Sequence, residues 1–158
     1  MLRRIWITVA AAVLITGGLL VVTSGTAAGQ GGAFECNEAT LRGTYGGQMQ
    51  GTAPIPPPFP PGIQTVVGVV LRTYDGAGNF TQIDNIKGAT SGVVPDRPGG
   101  GTYQVNADCT AVAVLQPGPG ITIEERMVIV DDGGEIRSIA SSPLPVMVSS
   151  VQKRIDRR

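Results

Sequence analysis

Runs of apolar and β-branched residues alternate with turn-forming clusters from Cys36 to the end of the chain. The alternation of apolar and polar positions is clearest at 121–130, where Ile121, Ile123 and Met127 fall on one face of an extended segment. Such runs, bounded by Gly, Asn and Asp, predict β-strands, and no segment has the period of a long helix. The predicted strands are 41–52, 63–74, 80–86, 101–105, 110–115, 121–130, 135–141 and 146–155.

The connections between these strands are rich in residues that form hairpin turns. Segments 75–79, 106–108 and 131–134 consist mainly of Asp, Asn and Gly, which tolerate the positive φ of such turns. Strands joined in this way are antiparallel, and a meander of them must protect its edges. We therefore predict an all-β fold, an antiparallel up-and-down barrel of about eight strands, with a two-sheet β-sandwich as the alternative.

Two segments are predicted to be loops. The first, 53–62, is rich in proline, which fixes φ and cannot donate to a strand ladder. We interpret it as a rigid lid or connector; the alternative is a PxxP ligand at Pro57 and Pro60 for a partner domain with an aromatic groove. The second, 88–100, contains many glycines and is interrupted by Pro95 and Pro98.

The N-terminus has the pattern of an export signal. Arg3 and Arg4 precede an uncharged apolar run at 5–22, and small residues follow at 26–28. We predict a signal peptide at 1–28, or an uncleaved anchor, because the run is close to the length of about 20 residues that crosses a bilayer. Residues 29–158 then form a single domain that is secreted, periplasmic or on the cell surface, and it meets a membrane only through an uncleaved N-terminal segment.

Cys36 and Cys109 are the two cysteines of the chain. An even number of cysteines in an exported protein predicts a disulfide, and this one closes a loop of about 74 residues. On the chain-entropy model such a bond contributes about 4 kcal/mol to stability.

Charge and composition exclude several classes of function. The chain has 12 basic and 12 acidic residues, with basic pairs only at 3–4, 153–154 and 157–158, so no nucleic-acid partner is expected. We interpret the last two pairs as a solubilising tail. The sequence has no histidine, which excludes Ser-His-Asp and Cys-His catalysis and histidine-bound metals. No cofactor and no metal are predicted, and Asp75 and Asp131 are assigned to hairpin turns rather than to a calcium site.

Glu125 is the exception among the apolar positions of 121–130. Strict alternation places it on the same face as Ile123 and Met127, where a buried carboxylate needs a partner or a function. Arg72 lies on an otherwise apolar strand and is the candidate partner, with Tyr74 nearby. The alternative is a bulge at 124–125 that turns both glutamates outward. Glu125, Arg72 and Tyr74 are therefore the candidate catalytic residues.

Three segments carry a resemblance to known proteins: 41–46 (LRGTYG), 74–79 (YDGAGN) and 101–110 (GTYQVNADCT). With Cys36, they resemble a group of uncharacterised exported bacterial proteins, over most of the chain after the signal. At the level of the fold, the meander is similar to calycin-type barrels such as lipocalins and allene oxide cyclase. The lipocalin Gly-x-Trp motif is absent, since Trp6, the sole tryptophan, lies in the predicted signal. The resemblance implies a barrel and no particular activity.

Three hypotheses of function follow from these observations. The first is a non-enzymatic barrel that binds a small apolar molecule in its interior. The second is a surface or interaction module, whose loops contact a protein or a glycan and whose barrel is filled by its own side chains. The third is a barrel isomerase or cyclase that uses Glu125 with Arg72 or Tyr74.

Overall fold

A computed structural model describes residues 34–155 of the chain. The predicted signal at 1–28 and the basic pair at 157–158 lie outside these residues. Within the described part, no helix has both the length and the hydropathy that a membrane-crossing helix requires.

Eight strands and two short 3₁₀ helices make up the described structure. The strands are β1 (Gly43–Pro54), β2 (Ile63–Tyr74), β3 (Asn79–Gly88), β4 (Gly92–Val105), β5 (Thr110–Gly118), β6 (Ile121–Val130), β7 (Glu135–Ser142) and β8 (Met147–Arg154). The 3₁₀ helices are Glu38–Leu41, before β1, and Asp131–Gly133, in the β6–β7 connection.

The strands form a closed barrel in chain order. Each strand pairs antiparallel with the next, and β1 pairs with β8 to complete the ring. Closure gives every strand a partner on both sides over at least part of its length, which is how an up-and-down meander protects its edges without a second sheet. The predicted barrel is confirmed, and the sandwich alternative is wrong.

The predicted loop at 88–100 is wrong, because β4 begins at Gly92 and pairs with β3 from there. The prolines fit because this half of β4 has a ladder only with β3; its pairing with β5 starts at Gly100. A proline is tolerated where its nitrogen faces no neighbouring strand. A bulge also absorbs one extra residue near Asp96, which has a positive φ of 47°.

Aromatic rings fill one end of the barrel, which we call the closed end. The ring of Tyr74 lies 5.4 Å from that of Tyr45, 5.6 Å from Phe80 and 5.0 Å from Tyr103, measured between centroids. All four side chains are buried, and Leu41 of the first 3₁₀ helix packs into the same cluster. Offset and edge-to-face contacts of this kind stabilise beyond the area they bury.

The disulfide lies at the closed end. Cys36 is bonded to Cys109 with a Cα–Cα distance of 5.0 Å, so the predicted pairing is confirmed. Cys109 lies between β4 and β5, and the Cys36 N–H also donates to the carbonyl of Ala107. The segment before β1 is thereby held across the end of the barrel.

Arg154 seals the same end, so its interpretation as part of a solubilising tail is wrong. Its guanidinium donates to the carbonyls of Thr40, Arg42 and Gly133 and to the hydroxyl of Tyr45. These carbonyls belong to two separate segments that meet at the closed end, residues 40–42 before β1 and the β6–β7 connection. One side chain therefore satisfies backbone groups that the barrel ladders do not reach.

Candidate functional site

A cavity of about 460 Å³ occupies the opposite end of the barrel, which we call the open end. The residues that line its mouth lie in or beside the β1–β2, β3–β4, β5–β6 and β7–β8 connections. They include Pro54 at the end of β1, Ser91, Pro117 near the end of β5, and Pro143. The proline-rich segment reaches this mouth through Ile55, Pro56 and Pro57. Its wall is mainly apolar, and the apolar wall residues include Val66, Val70, Leu115, Ile123, Ala140, Val146 and Val148.

Arg72 lies at the floor of this cavity and is 2% exposed. Strand β2 alternates strictly, so that Val70, Arg72 and Tyr74 all face inward. The guanidinium makes five hydrogen bonds, which equals its number of N–H groups. Two go to the Gln82 Oε1 atom at 2.8 and 2.6 Å, two to the Glu125 carboxylate at 2.8 and 3.1 Å, and one to the Tyr74 hydroxyl at 3.3 Å.

Glu125 faces the interior and forms an ion pair with Arg72. The predicted alternative, in which a bulge turns both glutamates outward, is wrong for Glu125. A bulge is present at this point, but its extra residue is Ser141 of β7: Glu124 pairs with Ser142, and Glu125 pairs with Ala140. The alternation of β6 therefore continues through 124–125, with Glu124 outside and Glu125 inside.

Tyr74 meets Arg72 but belongs to the closed end. Its ring is part of the aromatic cluster, and the described residues that line the cavity do not include it. Burial raises the pKa of Tyr74, and the charge of Arg72 opposes this only in part. The structure thus brings the three predicted residues together, with Arg72 and Glu125 in the cavity and Tyr74 below its floor.

Burial acts against the charge of Arg72 and lowers its pKa, but Tyr74 and Glu125 more than compensate. The net direction of the pKa of Arg72 is upward. The guanidinium is therefore a permanent cation, and it cannot exchange protons with a bound molecule.

A second ion pair extends the polar floor. Asp84 is 1% exposed and accepts hydrogen bonds from Arg97 at 2.9 and 3.0 Å and from the Gln82 Nε2 atom at 2.9 Å. Gln82 thus links the Arg72–Glu125 pair to the Arg97–Asp84 pair. Sequence analysis missed Gln82, Asp84 and Arg97. The available signal was the two-residue spacing of Phe80, Gln82 and Asp84, which share the inward face of β3.

Strands β7 and β8 contribute a further polar patch to the cavity. The hydroxyls of Ser138 and Ser150 are 2.8 Å apart, and the Gln152 Nε2 atom donates to Ser150 at 3.0 Å. Gln152 is 1% exposed, and its Oε1 atom has no hydrogen-bond partner among residues 34–155. Gly47 makes room for this side chain, since a Cβ there would lie 2.5 Å from the Gln152 Cγ atom.

The other acidic residues singled out in the sequence lie in turns. Asp75 accepts hydrogen bonds from the backbone N–H groups of Ala77 and Asn79 and from the Asn79 side chain. These bonds lower the pKa of Asp75. Across the residues that the structure describes, no group of three or more acidic or cysteine side chains is placed to hold a metal ion.

No family model matches the chain, and no curated protein matches its sequence. Among solved structures, the chain is similar to the crystal structure of Rv2717c from M. tuberculosis. The identity is 16%, the match covers 74% of this chain and 94% of that chain, and the TM-score is 0.35.

Proposed function

We propose that the protein is an exported, calycin-like barrel that binds a small, mainly apolar molecule in its interior. The observation that carries this proposal is the cavity at the open end. Its volume of about 460 Å³ lies within the range of small-molecule sites. The combination of apolar walls with a few converging polar groups is also typical of such sites.

The division of the barrel into two ends supports the same function. The interaction-module alternative assumed an interior filled by its own side chains, and only the closed end has that property. At the open end the inward apolar residues are small or medium in size, and they leave the space unfilled. The disulfide supports export, since such bonds persist in oxidising compartments.

Two measurements test the proposal. Native mass spectrometry of protein purified from its own host should show a bound small molecule. In parallel, the neutral dye Nile red should bind the empty wild-type protein with a blue-shifted emission. Ala140 lines the cavity, so Ala140→Phe should abolish dye binding by filling the space.

The matched control is Ser141→Phe. Ser141 is adjacent on β7 and exposed, so this variant adds the same ring to the outer surface and should bind the dye as the wild type does. Equal binding by the wild type and Ala140→Phe would contradict a cavity site. An equal loss of dye binding in Ala140→Phe and Ser141→Phe would also contradict a cavity site.

A barrel isomerase or cyclase is the second candidate function. The observation in its favour is that Glu125 and Arg72 both line the cavity, as a reaction on a bound molecule requires. Their mutual hydrogen bonds favour binding over catalysis, because Arg72 already occupies both oxygens of the Glu125 carboxylate. Incubation of the co-purified compound with fresh protein, followed by chromatography, distinguishes the two functions. A carrier returns the compound unchanged, and an isomerase converts it to a product of equal mass.

A further inference from the structure

We infer that the cavity selects neutral molecules, with an apolar body and an uncharged oxygen-containing head, and rejects carboxylates of the same length. In this inference, Glu125 and Asp84 are the specificity-determining residues, because each neutralises the arginine that would otherwise bind an anion. The inference rests on the proposed binding function and names the class of ligand for it.

The charges of the cavity lining cancel. Among residues 34–155, its charged residues are Arg72, Arg97, Asp84 and Glu125, two cations and two anions in two ion pairs. Each pair is two-pronged, with two N–H groups of the arginine directed at the two oxygens of the acid. A carboxylate that entered this site would bring an unbalanced charge out of water, and such a transfer is costly.

Arg72 has no hydrogen bond left to give. Its five N–H groups already donate to Gln82, Glu125 and Tyr74. An anionic ligand could reach this cation only by displacing Glu125, which would leave that buried acid without its partner.

Arg97 and Gln152 define what the head of the ligand meets instead. Two of the hydrogen bonds of Arg97 go to Asp84, and its side chain is 27% exposed, so N–H groups remain for a neutral oxygen acceptor. The Gln152 Oε1 atom, which has no hydrogen-bond partner within the described part of the chain, is an acceptor; it attracts a donor and repels an anion. A hydroxyl or carbonyl group suits these surroundings, and a carboxylate does not.

Displacement of Nile red by three compounds of matched length tests the inference: dodecanol, methyl dodecanoate and dodecanoate, each below its aggregation concentration. Dodecanol and the ester should displace the dye from the wild-type protein. Dodecanoate should be weaker than either by about ten-fold or more, because its charge is not compensated in the cavity.

Two variants then reverse the preference. Glu125→Gln frees Arg72, and Asp84→Asn frees Arg97, so each should strengthen dodecanoate relative to dodecanol by about ten-fold or more. Glu124→Gln is the matched control, because Glu124 carries the same charge on the outer face of β6 and should change nothing. If Glu125→Gln does not fold, Asp84→Asn tests the selection of neutral ligands, because its partner Arg97 is partly exposed and the variant leaves no fully buried cation unpaired. If neither variant folds, the wild-type comparison of dodecanoate with dodecanol tests it.

The outcomes separate this inference from the function it rests on. If Nile red and all three compounds fail to bind the wild-type protein, the proposed function is wrong. If the compounds bind but dodecanoate equals or exceeds dodecanol, the binding function stands and the selection of neutral ligands is overturned. If folded Glu125→Gln and Asp84→Asn both keep the wild-type preference, the specificity role of these acids is overturned.

Discussion

The two ends of the barrel use the same strands for opposite purposes. At the closed end, inward positions carry Tyr45, Tyr74, Phe80 and Tyr103, which pack together in one buried cluster. At the open end, the inward positions of the same strands carry smaller residues, such as Val66 and Ala140, around about 460 Å³ of space. The difference lies in the side chains and not in the backbone, because the ladders continue from one end to the other.

This division separates stability from binding. The closed end collects the disulfide, the aromatic cluster and the Arg154 contacts. The open end collects prolines, which hold a loop with little loss of chain entropy, and a floor of paired charges. We therefore expect changes at the closed end to lower stability without altering ligand preference, and changes at the cavity floor to alter preference.

The largest expected effect is that of the disulfide. Replacing Cys36 and Cys109 together by serine should lower the free energy of unfolding by about 4 kcal/mol, because the bond joins residues 73 apart in sequence. Urea denaturation followed by circular dichroism measures this loss. The folded fraction of the variant should still bind Nile red with wild-type affinity; a weaker affinity would show that the two ends are coupled.

Arg154 should have the next largest effect. Arg154→Met removes the donors to three carbonyls and keeps the aliphatic stem, so we expect a loss of about 1–3 kcal/mol in urea denaturation. Arg137→Met is the control, because Arg137 is exposed on the outer face of β7, and its cost should stay within about 0.5 kcal/mol. Equal costs in the two variants would contradict the sealing role of Arg154.

The smallest expected effect is a dependence on alkaline pH. Burial raises the folded-state pKa of Tyr74 and Tyr103 above the ordinary value of 10.0. The folded state therefore holds these protons more tightly than the unfolded state does. Their contribution to stability is complete below pH 10.0 and is lost as the pH rises through the folded-state pKa.

Denaturation midpoints measured from about pH 8 to about pH 11 should fall at the alkaline end. Tyr74→Phe should reduce the slope of that fall. A slope unchanged by Tyr74→Phe would mean that Tyr74 ionises as freely in the folded state as in the unfolded one.

Much of the fold could be predicted from the sequence because the turns are explicit. Segments 75–79, 106–108 and 131–134 carry Gly, Asn and Asp, and the strands that flank them lie close to the predicted positions. The segment 88–100 could not be predicted, because the tolerance of Pro95 and Pro98 depends on which side of β4 lacks a neighbour. Which side of β4 lacks a neighbour is set by the sheet topology and cannot be read from the local sequence.

The site was predictable only where one face was clearly apolar. On β6 the apolar neighbours of Glu125 favoured an inward position, with an outward-turning bulge as the alternative, and Arg72 was the candidate partner. The structure places both side chains inside. On β3 the outward face carries Ile83, which is exposed, and the inward face carries Gln82 and Asp84. On β3, hydrophobicity therefore predicts that the face carrying Ile83 points inward, whereas the structure has it outward. Some contacts of Arg154 join it to residues more than 100 positions away in the sequence, such as Thr40. A local sequence pattern cannot predict such contacts.

The Arg72–Glu125 pair also has a mechanical consequence. Arg72 belongs to β2 and Glu125 to β6, which are four strands apart in a ring of eight. The pair therefore spans the diameter of the barrel and sets the separation of opposite walls. A barrel braced in this way keeps its inner volume when the ligand leaves, so a new ligand does not have to supply the free energy of reopening it.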